Sequence, residues 1–104
     1  MANLPDFTTE NFAKEIAKGN WVVDFWAEWC GACKMLTPAF AAAASSTKNA
    51  KFGKVNIDSN GVLAEQYAVM NIPTMLFFKN GKLTDRIVGV VSKETIIKKT
   101  SEIF

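Results

Sequence analysis

The sequence predicts an α/β protein in which helices cover both faces of a mixed sheet. Strand-like and helix-like segments alternate through most of the 104 residues, which is typical of strand–helix–strand units. An apolar run over 21–27 has β-branched and aromatic residues at both parities, as in a strand buried on both faces. Two further strand patterns flank Asn80-Gly81, the strongest hairpin signal in the chain, so the last two strands should be antiparallel.

Each predicted element has a local start or stop signal. Thr8 or Thr9 can cap a first helix that ends at Gly19-Asn20, and Ser92 can cap the last helix. Pro38 lies inside the second helix and should kink it, because proline cannot donate the helical hydrogen bond. The predicted segments are an edge strand in 3–7, a helix to residue 18, a strand over 21–27, a helix over 30–47, a strand over 52–58, a helix over 60–67, strands over 74–79 and 82–88, and a helix after residue 92.

The second helix should pack on the sheet through one apolar side. Its predicted packing positions recur at helical spacing and comprise Met35, Leu36, Ala39, Phe40, Ala43 and Ala44.

Composition fits one globular domain over residues 1–104. About half of the residues are apolar, and the net charge of +2 is spread along the chain, so nothing predicts a nucleic-acid partner. No apolar stretch approaches membrane-spanning length, and the first six residues lack the features of a signal peptide. We therefore expect a cytoplasmic protein that binds no membrane and acts as a monomer.

The only two cysteines form the motif Cys30-Gly31-Ala32-Cys33, where the buried strand gives way to a helix. If a helix starts near Cys30, this spacing puts both sulfurs on one face about one turn apart, within reach of a disulfide. Free backbone N–H groups and the helix dipole would favour the thiolate of Cys30. The motif therefore predicts reversible redox chemistry.

Three other interpretations of the cysteine pair are weaker. A closed structural zinc site needs four ligands, and the chain offers two cysteines and no histidine. A purely structural disulfide across two residues would close almost no loop in the unfolded chain. Two inert core cysteines stay open as an alternative, although Gly31 and an exposed helix start favour access.

Several separated motifs, in the same order, resemble the thioredoxin family over nearly the whole chain. The matching segments are Val23-Asp24-Phe25, Trp26-Ala27-Glu28-Trp29-Cys30-Gly31-Ala32-Cys33-Lys34, Pro38, Lys54, Asn56-Ile57-Asp58, Ile72-Pro73-Thr74, Lys79-Asn80-Gly81 and Gly89. The resemblance implies a thioredoxin fold with strand order 1-3-2-4-5 and a cis peptide bond before Pro73. Two positions depart from the family pattern: Ala32 replaces the usual proline, and Asn71 replaces a frequent glycine.

The resemblance implies a protein-disulfide reductase and gives separate roles to the two cysteines, Asp24 and Lys54. Cys30 would attack the target disulfide as thiolate, and Cys33 would resolve the mixed disulfide. Asp24, a carboxyl group in the middle of an apolar strand, would move the proton of Cys33, with Lys54 modulating it. The alternative for Asp24 is a buried side chain satisfied by Lys54 or by backbone groups.

The resemblance also implies where a target would bind. A cis-proline loop would present the backbone of Ile72 to an extended target segment, beside a small apolar patch. For Trp29 the alternative is core filling, although its place next to Cys30 favours exposure. The predicted target-binding residues are Trp29, Gly31, Ala32, Ile72, Pro73, Val88 and Gly89.

The expected partners are disulfide-containing proteins and a thioredoxin reductase linked to NADPH or ferredoxin. No glycine-rich phosphate-binding motif is present, so we expect no bound cofactor and no metal. Three rival interpretations stay open. They are an oxidant or isomerase of the same fold, a non-redox binding subunit of a larger complex, and two copies of the chain bridged by an iron–sulfur cluster.

Overall fold

The elements follow one another in the predicted order across residues 4–104, which a computed structural model describes. In chain order these are β1 (Asp6–Phe7), α1 (Phe12–Glu15), β2 (Asn20–Trp26), α2 (Gly31–Ser46), β3 (Lys51–Asn56), α3 (Gly61–Gln66), β4 (Thr74–Lys79), β5 (Lys82–Val88) and α4 (Lys93–Ile103).

The five strands form one mixed sheet in the order β1-β3-β2-β4-β5. The central strand β2 pairs parallel with β3 and antiparallel with β4, and β5 is antiparallel to β4. The hairpin turn places Asn80 and Gly81 at φ of +49° and +82°, the left-handed conformation that a two-residue turn requires. The predicted fold class and strand order are confirmed.

Two apolar layers lie on opposite faces of the sheet, because side chains alternate along each strand. On one face the core includes Phe12 of α1, Leu63 of α3 and Phe25 of β2. On the other face it includes Phe40 of α2 and Ile96 of α4. Helices therefore cover both faces, as predicted.

A glycine in β3 allows the first strand to pack closely. Gly53 is buried, and the ring of Phe7 occupies the space that a Cβ at this position would fill. That ring also makes edge contacts with the rings of Phe12 and Trp21. The short strand β1 is thus held by an aromatic cluster as well as by its pairing with β3.

The ends of the first elements differ from the prediction. Only Asp6–Phe7 of the predicted edge strand is paired, and Asn3 lies outside the described residues. The first helix is four residues long and follows Asn11. The Thr8 hydroxyl accepts a hydrogen bond from the Asn11 N–H, the Asn11 side chain accepts one from the Thr8 N–H, and the Phe12 N–H donates to the Thr8 carbonyl oxygen. Thr8 therefore caps the turn that leads into α1, as predicted.

One predicted packing position of α2 is wrong. Met35 is 69% exposed, whereas its neighbour Leu36 is fully buried. Both residues fit an apolar stripe by type, but a helix packed on a sheet buries only one arc of its surface, and Met35 lies outside that arc. The start of the last helix is as predicted, because the Ser92 hydroxyl accepts a hydrogen bond from the Thr95 N–H.

Candidate active site

The dithiol lies where the central strand β2 turns into α2. Cys30 is the N-cap of α2, which begins at Gly31, so the predicted placement at a helix start is confirmed. A disulfide joins Cys30 to Cys33, whose Cα atoms are 5.2 Å apart, within the usual range for such a bridge. Both sulfurs share one face of the first helical turn.

The surroundings of the two sulfurs differ. The backbone N–H of Cys33 donates to the Cys30 sulfur over 3.0 Å, and that sulfur lies 3.9 Å from the carbonyl oxygen of Ile72. Cys30 is 7% exposed and Cys33 is 2% exposed, so Cys30 is the more accessible, although both are largely covered. Gly31 and Ala32 beside them are exposed.

The loop before β4 packs against this turn. The peptide bond between Ile72 and Pro73 is cis, and Ile72 packs against the cluster of apolar residues around the two cysteines. The N–H of Gly89 donates to the carbonyl oxygen of Pro73 over 2.8 Å. This bond brings the end of β5, with the exposed Val88, to the same edge of the sheet.

Exposed apolar side chains lie on the elements around the dithiol. Trp29 is 68% exposed, as the prediction of exposure rather than core filling requires. Its indole N–H donates to the carboxylate of Asp58 over 2.9 Å, which fixes the ring on the surface. The sequence had not indicated Asp58 as a partner of Trp29, and it had not singled out Met70, which is 87% exposed in the loop before Ile72.

A buried carboxyl group lies on the sheet beneath α2. Asp24 of β2 is 1% exposed, and its Oδ1 atom has no hydrogen-bond partner. Burial raises its pKa from 3.8 to about 7, against an opposing effect of the positive charge of Lys54. A carboxyl group with this pKa exchanges its proton near neutral pH.

Lys54 lies next to Asp24 without forming an ion pair with it. The two residues are register partners across β2 and β3, but the Lys54 ammonium lies over the indole of Trp26, 4.5 Å from the ring centroid. Among residues 4–104, the ion pairs join Lys93 to Glu94 and Lys99 to Asp85. The interpretation of Asp24 as a side chain satisfied by Lys54 is therefore wrong.

Trp26, at the end of β2, links Lys54 to the surroundings of the dithiol. It is half-buried and contributes to the apolar cluster around the two cysteines. Glu28 and Lys34, which flank the dithiol in the sequence, are both exposed. Asp24 of β2 is thus the buried charged residue of this region, and Lys54 of β3 is half-buried.

A cysteine pair that can close without rearrangement of the backbone, with one sulfur bonded by a helix N–H, is suited to thiol–disulfide exchange. Fold and site together define a thiol–disulfide oxidoreductase.

Comparison with known proteins gives the family. The thioredoxin family model matches residues 3–102. A thioredoxin from Chlamydia trachomatis is 50% identical over 89% of this chain and 91% of its own length. One from Chlamydia caviae is 47% identical over 88% and 89%, and thioredoxin 2 from Chlorobaculum tepidum is 44% identical over 91% and 90%. The chain belongs to the thioredoxin family.

Membership of the thioredoxin family and the geometry of the dithiol indicate the same reaction. The protein is a thioredoxin-type protein-disulfide reductase, with Cys30 and Cys33 positioned as its redox-active dithiol. Its partners are in general disulfide-containing targets and a reductase that restores the dithiol. Within residues 4–104, none of the helices has the length and apolar character to cross a membrane.

Proposed function

We propose that Cys30 is the attacking thiol and Cys33 the resolving thiol. The observation that carries this assignment is the hydrogen bond from the Cys33 N–H to the Cys30 sulfur at the start of α2. A thiolate gains more from such a donor than a neutral thiol does. Cys30 is also the more exposed of the two.

The proposed exchange proceeds in two steps. The Cys30 thiolate attacks one sulfur of the target disulfide, which forms a mixed disulfide and releases the other target sulfur as a thiolate. The Cys33 thiolate then attacks the Cys30 sulfur, closes the Cys30–Cys33 disulfide and releases the second target thiolate. The target gains two electrons, and the protein loses two.

We propose that Asp24 accepts the proton that Cys33 must lose before the second step. Its burial and its pKa of about 7 support this role, because a base of that pKa is half ionised at neutral pH. Lys54 modulates Asp24 through its positive charge. Because the Lys54 ammonium lies over Trp26 rather than on the carboxylate, the Asp24 oxygens keep their capacity to take the proton.

We propose that an extended target segment binds across the cis-proline loop. The Ile72 carbonyl oxygen beside the Cys30 sulfur supports this placement, since its backbone can pair with one added strand. The proposed surface combines exposed residues with the half-buried Ile72 and Gly89 and with Pro73, which is buried. Its members are Trp29, Gly31, Ala32, Ile72, Pro73, Val88 and Gly89.

The proposed setting is the cytoplasm, with the protein acting as a monomer of one domain. A dithiol that must stay reduced between turnovers fits a reducing compartment. A reductase linked to NADPH or to ferredoxin would regenerate it. Supplying purified reductases of each kind separately, and following reoxidation of their electron donor in the presence of the protein, identifies which one serves it.

A double cysteine variant tests the function. The wild-type protein should accelerate the reduction of insulin by dithiothreitol, and replacing Cys30 and Cys33 with Ser should abolish this acceleration and leave the slow uncatalysed rate. The matched control is Glu28→Gln, which changes an exposed carboxylate beside the motif and should keep the wild-type rate. Full activity in the double variant would contradict the proposal and favour a binding role.

A further inference from the structure

The loop that presents Ile72 begins in an unusual conformation. After α3, the chain leaves the helix through Ala68 at φ +54°, a left-handed conformation that costs a non-glycine residue free energy. Within this turn, the Val69 N–H bonds the Ala64 carbonyl oxygen over 2.8 Å. The carbonyl oxygens of Tyr67 and Ala68 at the helix end are left for partners outside the helix.

The side chain of Arg86, in β5, forms hydrogen bonds with both of these carbonyl oxygens. The guanidinium of Arg86 donates through Nη2 to Tyr67 over 2.9 Å and through Nη1 to Ala68 over 3.3 Å. Arg86 is the register partner of Leu76, which lies in the same core layer as Leu63 of α3. The planar guanidinium holds its donor nitrogens in a fixed geometry, so it fixes the positions of the two carbonyl oxygens relative to each other. The ammonium of a lysine would not do so.

The same strand also holds the far end of the loop. Gly89 follows β5 and bonds the carbonyl oxygen of Pro73 through its N–H. Between these two attachments lie residues 69–72, which include the exposed Met70 and the Ile72 backbone beside Cys30. The position of Ile72 relative to the dithiol therefore depends on β5 at both ends.

We propose that Arg86 is a positioning residue for target docking, which sets the place of the Ile72 backbone by binding the end of α3. This inference rests on the proposed function, because it assumes that targets pair with the loop. Arg86 acts through the loop and touches neither sulfur. Its loss should weaken the binding of protein targets and leave the chemistry of the dithiol unchanged.

The test compares two substrates in three variants. Arg86→Met keeps most of the aliphatic stem and removes the donors, Arg86→Lys keeps the charge without the planar guanidinium, and Lys82→Met removes an exposed cation from the same strand as a charge control. Each protein is assayed with insulin, which must dock, while dithiothreitol regenerates the Cys30–Cys33 dithiol. Each pre-reduced protein is also mixed, without dithiothreitol, with dithiobis(nitrobenzoate), a small disulfide that needs no strand pairing. The Cys30–Cys33 redox potential is measured for all.

We expect Arg86→Met to raise the KM for insulin about tenfold, the effect of losing a charged hydrogen bond. Its kcat, its rate with the small disulfide and its potential should equal those of Lys82→Met. Arg86→Lys, which retains a donor if the methionine variant folds poorly, should show a smaller rise in KM.

Two results would overturn the inference: an unchanged KM for insulin in both Arg86 variants, or equal losses with both substrates. Failure of the wild-type protein to reduce insulin would instead contradict the proposed function.

Discussion

The backbone N–H of Cys33 bonds the sulfur of Cys30 at 3.0 Å, which makes the two sulfurs of the dithiol chemically unequal. Cys30 receives the helix-start N–H, whereas Cys33 lies one turn deeper at 2% exposure. A negative charge is therefore better stabilised on the Cys30 sulfur than on the Cys33 sulfur. Cys33 would need a nearby base to accept its proton. This local geometry supports the proposed assignment of Cys30 as the attacking thiol and Cys33 as the resolving thiol.

Replacing Asp24 with Asn should stabilise the protein above neutral pH. The folded-state pKa of about 7 lies above the ordinary 3.8, so between these values the folded chain holds a proton that the unfolded chain has released. Stability contributed by Asp24 is therefore lost as the pH rises through this window. We expect Asp24→Asn to gain on the order of 3 kcal/mol at pH 8 relative to pH 4.

Urea unfolding across the pH range measures the Asp24 effect. Glu28→Gln is the matched control, because it makes the same change from acid to amide at an exposed position beside the motif. The Asn variant should also slow the attack of Cys33 on a preformed mixed disulfide. A variant with the wild-type pH dependence of stability and the wild-type resolution rate would argue against both roles of Asp24.

Replacing Lys54 with Met should raise the pKa of Asp24 further, because the Lys54 charge is what lowers it against the effect of burial. The pH profile of the resolution step should then shift to higher pH. Lys51→Met is the control: Lys51 is on the same strand and lies 5.8 Å from the ring centroid of Trp21, away from Asp24. Equal profiles for the two lysine variants would remove Lys54 from the mechanism.

Replacing Ala32 with Pro should make the redox potential more reducing. Ala32 is in the first turn of α2, where its N–H has no helical acceptor, so proline fits the backbone. Loss of this N–H weakens stabilisation of the Cys30 thiolate and favours the disulfide. Equilibration with glutathione measures the potential, with Ala32→Val as a bulk control that keeps the N–H. The same potential in both variants would refute the prediction.

Replacing Gly53 with Ala should destabilise the fold by about 1–3 kcal/mol, a typical cost of overpacking. The added methyl group would meet the ring of Phe7, which is 3% exposed and packed among other rings. Gly61→Ala is the control, since a Cβ there meets nothing within 4 Å. Chemical denaturation compares the two, and equal stabilities would show that the Phe7 ring moves aside at little cost.

The local signals of the sequence account for most of the fold. The Asn80-Gly81 turn defined two strands whose bounds, 74–79 and 82–88, the structure reproduces. Ser92 marked the last helix start because a cap acts on the backbone three residues away. The prediction that Met35 packs on the sheet is wrong, because residue type alone does not show how wide an arc of α2 the sheet covers.

Contacts between distant segments account for what the sequence did not reveal. The sequence alone indicates the cysteine motif, because it holds the only two cysteines, and Asp24, because a carboxyl group is unusual in an apolar strand. Lys54 was identified as a neighbour of Asp24, but its position over Trp26 depends on side-chain geometry. Arg86 binds backbone carbonyl oxygens, and such acceptors exist at every residue, so no sequence pattern marks this bond.

The most direct test of the account compares the two single-cysteine variants with one peptide disulfide. Pre-reduced Cys33→Ser should form a stable mixed disulfide, found by mass spectrometry on Cys30, because the attacking thiol remains and the resolving thiol is missing. Cys30→Ser should form such an adduct far more slowly. Faster adduct formation on Cys33 than on Cys30 would contradict the assignment of the attacking thiol.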